Sequence, residues 1–515
     1  MANLTGMGLT RRDFLKAGAA TGAALLVARP GSVFGATGPA AFGTSRTSRL
    51  FPGNGTFVVQ ADMHNHTLLS GGATSPQQAY DLMRGVGLDV AAITDHSLFG
   101  KVVGPVCGDS PCRDYAGINE ASWQQLAKDA DAKVVDGAFV AMRGFEWTTG
   151  TIGHMNVWFS SQWTDTMVTG GQSPKGLEAA LANIPEPGPS LAPAVAPAIA
   201  QLPETASMDG FYEWLQSSPD RPVLGGGADA LVGFNHPNDY GNFENFEFAA
   251  ALVERVVSYE AMNTDRDHVF YGMDKGLPSP LNACLNAGWR VGMLGVSDEH
   301  GDKWGDNRSR GGMWVRSLTR DGVREAMQAR RIYSTHERGL RLDAAANGVP
   351  MGSRVGHRTG TVRFDLDGDR GPASYGRPLR VQLLRPGKTS PTLAHEQDVR
   401  LPSLDEPVIT FSVPVDVADG NWAVLRVTDP SQPAEPWTPA EYKGAGRAIA
   451  YASPFWFDPD APTGTAAPAT AVAGTQRSRG ATLPSTGGSA GVAALGAVAA
   501  MGAVAARRAL HHTHD

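Results

Sequence analysis

From about Phe57 to Ser317 the chain alternates short apolar runs with stretches of helical composition, which restricts this region to βα units packed around buried strands. The candidate strands are Phe57-Val58-Val59, Val90-Ala91-Ala92-Ile93, Phe139-Val140-Ala141-Met142, Leu231-Val232-Gly233-Phe234, Val256-Val257-Ser258-Tyr259, Met293-Leu294-Gly295-Val296 and Met313-Trp314-Val315. Between the first two lies a helix with readable punctuation: Ser75 suits the N-cap, Pro76 the first turn, and Gly85 or Gly87 the end. Seven such strands predict a parallel barrel rather than an open sheet. The stretch Ser160 to Thr205, with Pro185-Glu186-Pro187-Gly188-Pro189, breaks the rhythm and reads as a surface insertion. From about Leu340 to Phe457 the period changes to two, as in Val362-Arg363-Phe364-Asp365-Leu366 and Val424-Leu425-Arg426-Val427, and Pro and Gly turns separate the runs. That pattern predicts a small β-sandwich. The 515 residues exceed what one core organises.

Both ends carry address signals rather than fold information. Thr10-Arg11-Arg12-Asp13-Phe14-Leu15-Lys16 precedes the small, mildly apolar run Ala17 to Val27 and resembles a Tat export signal. Leu483-Pro484-Ser485-Thr486-Gly487, the apolar run Ser489 to Ala506 and Arg507-Arg508 resemble the LPXTG-type sorting signal of Gram-positive surface proteins. The expected order is a signal peptide over 1–41, a barrel over 55–340 with its insertion at about 160–205, a β-sandwich over 341–458, a flexible linker over 459–482 and the sorting signal over 483–515. The resemblances imply the Tat translocase and a sortase as partners in export, and an extracellular, wall-anchored location.

A hydrophobic fraction of 42% with 18% charged residues describes a globular chain. The net charge of −7, with no basic stripe, argues against dedicated nucleic-acid binding. Cys107 and Cys112 are spaced for either a short-loop disulfide or two free thiols, while Cys284 reads as a buried helix residue. The absence of any CxxC pair excludes a zinc ribbon.

Six of the 13 histidines fall just past predicted strands. His64 and His66 follow the first, in Asp62-Met63-His64-Asn65-His66, and residues two apart in extended chain face the same way. His96 follows the second strand; Glu146 and then His154 follow the third; His236 follows the fourth; Asp298 and His300 follow the sixth. The C-terminal strand ends of a parallel barrel converge on one face. Six imidazoles and two carboxylates gathered there suit zinc, manganese or iron and exceed what one ion needs, so two or three divalent ions are expected. His268, His336, His357 and His395 lack this context and read as surface residues.

This series, from Asp62–His66 through Thr94-Asp95-His96, Glu146, His154, His236 and Asp298-Glu299-His300, resembles the PHP (polymerase and histidinol phosphatase) superfamily over roughly residues 57–340. Gly144-Phe145-Glu146-Trp147-Thr148, His154-Met155-Asn156-Val157 and Tyr333-Ser334-Thr335 are similar to its CehA/McbA-like branch. The resemblance implies a distorted (β/α)7 barrel and a trinuclear site. His64, His66, Glu146 and Asp298 would hold one ion. Glu146 would bridge to a second, completed by His154 and His236, and His96 and His300 would hold a third. Where the family places a further ligand in a Ser-Asp-Gly context, this chain reads Ser70-Gly71-Gly72, so the third ion lacks one ligand. The expected activity is a phosphoesterase acting on a small mono- or diester through a metal-bridged hydroxide, with Glu146, His236 and Asp298 catalytic. Asp62 and Asp95 would orient ligating imidazoles, and Lys303 and Arg308 would meet the phosphate. The same ligands would serve a carboxylic ester or carbamate, and a wall-anchored binding protein is the non-enzymatic alternative.

The two terminal signals make a separable prediction. Replacing Arg11 and Arg12 by lysine should leave the protein inside the cell, and Thr486→Ala should move it from the wall fraction to the membrane or medium. If both variants fractionate like the parent, the localisation reading fails.

Overall fold

The computed structural model describes residues 45–101, 117–177, 200, 202–371, 374–400 and 408–462. The signal peptide, Cys107 and Cys112, most of the linker and the sorting signal lie outside the described residues. The fold is mixed α/β. Its first half holds β1 (Phe57–Asp62), α1 (Pro76–Gly85), β2 (Val90–Ile93), β3 (His96–Ser97), α2 (Glu120–Lys133), β4 (Val140–Thr148), β5 (His154–Trp158), α3 (Asp209–Gln216), β6 (Leu231–Asn235), β7 (Val256–Asn263), β8 (Arg266–Asp267), α4 (Pro280–Asn286), β9 (Gly292–Val296), β10 (Arg310–Val315), α5 (Arg320–Gln328) and β11 (Ile332–Thr335).

The helix read between the first two strands forms as expected. The Ser75 side chain accepts from the Gln78 amide, Pro76 occupies the first turn, and Gly87 leaves the helix with a positive φ of 90°. Its buried face of Pro76, Ala79, Tyr80 and Met83 follows the three-to-four spacing of an amphipathic helix, and the Tyr80 hydroxyl donates to the Met142 carbonyl at 2.6 Å. Ser279 and Pro280 cap and start α4 in the same way, and that helix buries Cys284. β2 and β9 are buried along their whole length, so their continuous apolar runs face helices or neighbouring strands on both sides.

The sheet is not uniformly parallel. β1–β2, β2–β4, β3–β4, β6–β7 and β7–β9 pair in parallel, but β4–β5, β5–β6 and β1–β10 pair antiparallel. The seventh expected strand therefore runs against the others. It follows β9 through a loop without a helix, and parallel pairing needs a longer crossover, usually helical. A hairpin of the same origin inserts β5 between β4 and β6; neither β5 nor β11 stood out as a strand in the sequence. The expected surface insertion also begins inside the protein, since Trp163, Thr164, Asp165, Thr166 and Met167 are buried and the Asp165 carboxylate accepts from the Val168 and Lys101 amides. Residues 178–199 and 201 of that stretch lie outside the described residues.

The second half is all strand apart from short turns and one helical turn. β12 (Arg341–Ala346), β13 (Val349–Pro350), β15 (Thr359–Asp369) and β18 (Ile409–Asp416) make one antiparallel sheet; β14 (Arg354–Gly356), β16 (Pro378–Arg385), β17 (Thr392–Arg400), β19 (Trp422–Asp429), β20 (Arg447–Ala452) and β21 (Phe455–Asp458) pair among themselves. The period-two pattern is realised in β18, where Ile409, Phe411, Val413 and Val415 are buried and the residues between are exposed. These pack with Phe364, Leu366, Leu383, Leu425 and Ile449 into one apolar cluster. β20 also pairs with β11, so the two halves share backbone hydrogen bonds. Among the described residues no helix is long and apolar enough to cross a membrane.

Gly312 in β10 faces Tyr333 in β11, and a Cβ there would stand 1.9 Å from the Tyr333 ring, which is fully buried. Gly312→Ala should lower unfolding stability by about 1–3 kcal/mol through overpacking, read from denaturant melts. An unchanged midpoint would show that β11 yields at this point.

Candidate metal centre

The C-terminal ends of β1, β2, β4, β6 and β9 bring their histidines and carboxylates together, and the hairpin that starts β5 returns His154 to the same place. β1 delivers His64 and His66; their Nε2 atoms lie 3.0 Å apart, and both rings are fully buried. Backbone contacts hold this segment against β9: the His66 amide donates to the Glu299 carbonyl at 2.9 Å and the Asp298 amide to the His64 carbonyl at 3.0 Å. Trp158 Nε1 donates to the Met63 carbonyl, fixing the segment from below.

Glu146 stands at the centre. Oε1 lies 3.3 Å from His64 Nε2, 3.2 Å from His154 Nδ1 and 3.2 Å from His236 Nε2; Oε2 lies 2.6 Å from His96 Nδ1 and 3.7 Å from His66 Nε2. Asn235 Nδ2 donates to Oε1 at 2.7 Å and Thr148 Oγ1 to Oε2 at 3.1 Å. Asp298 Oδ1 approaches His66 at 3.1 Å, His64 at 3.3 Å and His300 at 3.6 Å, and Oδ2 approaches His236 at 3.8 Å. His96 and His300 meet through their Nε2 atoms at 3.3 Å. Every expected ligand is thus part of one cluster.

The spacing suits cations. Two ligands of a tetrahedral ion with bonds of about 2.05 Å are about 3.3 Å apart. Three sets of donors converge within 4.8 Å: His64, His66 and Asp298; His64, Glu146 and His236; and His66, His96 and His300. The last has no carboxylate. Gly71, where the resemblance would place one, is exposed with φ of 96°, and the neighbouring Ser70 hydroxyl instead donates to Asp95. His154 contributes to none of the three, since its Nε2 lies 3.0 Å from the Thr149 carbonyl and its Nδ1 faces Glu146.

Charge follows the same logic. Burial works against ionising Glu146, but His154, His64 and His96 outweigh it and hold its carboxyl well below the ordinary value. Asp298 is held down likewise, against its burial, chiefly by His64 and His66. Burial would depress His64, yet Asp298, Glu260 and Glu146 keep it well above the usual imidazole value; against its own burial, His236 is raised to about 9 by Glu146 and Asp298. His66 goes the other way, pushed well down by burial and by His300 and His96. Positive charge is thus favoured beside these carboxylates, and divalent ions at the same place would supply it.

Three expectations about the surroundings change. Asp62 does not hold an imidazole: its oxygens accept from the Ser297 amide at 3.2 Å, from the Ser297 hydroxyl and from the His64 amide, so it ties the end of β1 to the end of β9. Asp95 reaches a ring only through Ser70, whose Oγ lies 3.3 Å from His66 Nδ1. Lys303 and Arg308 are exposed, with Arg308 Nη2 at Gln432, and neither meets the cluster among the described residues. His268 and His336, read as surface residues, are buried because each spends a ring nitrogen on an interior carbonyl, Pro237 at 3.0 Å and Ala448 at 3.2 Å. His357 and His395 are partly exposed.

Glu260 on β7 escaped the sequence reading. Its Oε1 lies 2.8 Å from His64 Nδ1 and accepts from Asn156 Nδ2 at 3.3 Å; its Oε2 accepts from the His236 amide at 2.9 Å and from Asn263 Nδ2 at 3.0 Å. A carboxylate inside the apolar run Val256–Met262 was the available signal, because a lone buried charge needs partners.

Residues 8–28 match the model of the TAT (twin-arginine translocation) pathway signal sequence. No curated protein matches the chain. Among solved structures, it is similar to a two-domain protein from Bacteroides vulgatus containing a predicted PHP-like metal-dependent phosphoesterase (13% identity, 77% of this chain and 95% of that one, TM-score 0.36). It is also similar to a protein from Bifidobacterium adolescentis provisionally named a metal-dependent phosphoesterase (15%, 52% and 95%, TM-score 0.24). A third is an amidohydrolase from Chromobacterium violaceum with bound sulfate and no metal (15%, 47% and 88%, TM-score 0.23).

Glu260→Gln tests the bracing of His64. The carboxylate faces donors at both oxygens, and an amide must turn its NH2 toward one of them. Metal affinity, measured by competition with a chromogenic chelator, should fall about 10–100-fold with the fold retained by circular dichroism. Unchanged affinity would make Glu260 a purely structural acid.

Proposed function

We propose that this chain is an exported, metal-dependent phosphoesterase acting on a small phosphomonoester or phosphodiester outside the cell. The observation that carries the reading is the fully buried Glu146 carboxylate, in contact with five imidazoles within a cluster of eight metal-type donors at the strand ends. We read the first half as a distorted (β/α)7 barrel of PHP type and the second as a β-sandwich. The Tat-type signal supports export, and the LPXTG-like motif at Leu483–Gly487 supports anchoring by a sortase to the wall.

His64, His66 and Asp298 would hold one divalent ion; Glu146 with His236 and His64 would hold a second; His66, His96 and His300 would form the weakest place, for a third. Bound there, zinc, manganese or iron would supply Lewis-acid charge at the phosphoryl oxygens and at the attacking water. The protein's own part is orientation. Asn235 and Thr148 set the angle of the Glu146 carboxylate, Glu260 fixes which nitrogen of His64 faces the centre, and Ser70 does the same for His66. The centre is dry beneath, where His64, His66 and Glu146 are fully buried, and open above, where the His300 side chain is 40% exposed. A phosphoryl group would therefore approach from the His300 side.

The test combines metal and substrate. Chelation should abolish turnover of p-nitrophenyl phosphate or bis-p-nitrophenyl phosphate, and zinc, manganese or iron should restore it. Glu146→Gln keeps the shape and loses the charge; it should lower kcat/KM by at least about 100-fold, more than loss of an outer hydrogen bond. Hydrolysis that survives complete metal removal, or a Glu146→Gln enzyme with full metal and full rate, would refute the reading. Turnover of 1-naphthyl carbamates in place of the phosphoesters would move it to carbamate hydrolysis.

A further inference from the structure

The rim of the centre carries an aromatic ring that the chemistry above does not use. Tyr240 is 53% exposed, yet it is not a loose surface residue. Its ring lies flat on the imidazole of His154, with centroids 4.4 Å apart and planes 9° from parallel, and meets the ring of His236 edge-on at 5.5 Å. One face is therefore committed to His154, whose own Nδ1 lies against Glu146, and with 53% of the residue exposed the ring also faces solvent.

The loop that presents it is held on both sides. The Asn238 amide donates to the Gly241 carbonyl at 2.9 Å and the Asp239 amide to the His236 carbonyl at 3.2 Å, which closes a tight turn around Tyr240. Asn238 has φ of 71°, and its side chain donates to the Tyr271 carbonyl at 2.9 Å. Asp239 is gripped by Arg266 Nη1 at 2.9 and 2.8 Å. Gly241 is pressed against the turn before His154, where any Cβ would come within 2.4 Å of the Ile152 backbone; the Phe243 amide donates to the Ile152 carbonyl at 2.7 Å. Strained backbone of this kind persists only where its surroundings fix it, and such positions gather at ligand clamps. The two cations expected to meet the phosphate are elsewhere, since Lys303 is exposed outside the cluster's contacts and Arg308 rests on Gln432.

We propose that Tyr240 is a stacking platform for the leaving group, so that the site selects phosphoesters of planar aromatic or heteroaromatic alcohols over those of alkyl alcohols. The inference rests on the phosphoesterase reading of the same centre. A pre-fixed ring costs little ordering on binding, and an offset-stacked pair gains stabilisation beyond the area it buries. The residue sets specificity through its ring and has no part in bond breaking.

Phosphonates test this without turnover, because their P–C bond is not hydrolysed and the aromatic and alkyl probes share one head group. Calorimetric titration of the metal-loaded full chain should show phenylphosphonate binding at least about fivefold tighter than methylphosphonate. Tyr240→Phe should keep that ratio and Tyr240→Ala should bring it close to one, with metal content measured in each variant to show that the donor cluster is undisturbed. Equal binding of the two probes by the parent, or a ratio that survives in Tyr240→Ala, overturns the platform and leaves the phosphoesterase reading standing. Failure of both phosphonates to bind the loaded protein overturns that reading, and the platform with it.

Discussion

A carboxylate with no solvent exposure, surrounded by five imidazole nitrogens, sets the terms for the rest of this molecule. Removing one ionised carboxylate from water costs several kcal/mol even after relaxation. Glu146 can stay there only if positive charge is delivered around it from several directions at once. β4 carries it on a nine-residue strand paired with β2 and β3 on one side and β5 on the other, so its position is fixed by ladders on both edges. The register Thr148↔His154 and His154↔Asn235 then places His154 and the residue before His236 at the same height. The antiparallel β5 is thus what brings a sixth imidazole to a face otherwise built from parallel strand ends.

Two of the expected ligands sit on strained backbone. His236 has φ of 24° and Asp298 has φ of 50°, a region in which a residue with a side chain costs about 1–2 kcal/mol. Hydrogen bonds offset this: Glu260 accepts from the His236 amide, the His64 carbonyl accepts from the Asp298 amide, and Asn263 reaches the Asp298 carboxylate at 3.4 Å. Glu260 therefore braces the His64 ring and the His236 backbone together. The second half of the chain supports the first from outside, through the β11–β20 ladder and through the segment after the signal, where the Ser48 hydroxyl donates to Asp343 and the Arg49 amide to Asp367.

Much of the centre was legible because metal ligands are few residue types and strand ends are predictable. HxH after one strand, Asp95-His96 after the next and the DEH triplet after another needed no tertiary knowledge, and all eight expected ligands fall in one cluster. What misled were properties set by three-dimensional context. The direction of β10 depends on the length of a loop, not on the apolar run that forms the strand. Asp62 looks like a ring-orienting acid by its place beside HxH, yet the nearest donors are a serine hydroxyl and two amides. His268 and His336 carry no periodic signal, and only the fold shows that interior carbonyls receive them. Glu260 was hidden inside an apolar strand, where a single acid weighs little in any pattern.

On this reading the cluster around Glu146 exists to hold divalent metal. Elemental analysis of the exported protein, purified without chelators and compared with its Glu146→Gln variant, tests it most directly. The parent should carry two or three zinc, manganese or iron ions per chain, and the variant clearly fewer. A parent that carries less than a stoichiometric ion, and takes up none when dialysed against all three metals, would contradict it.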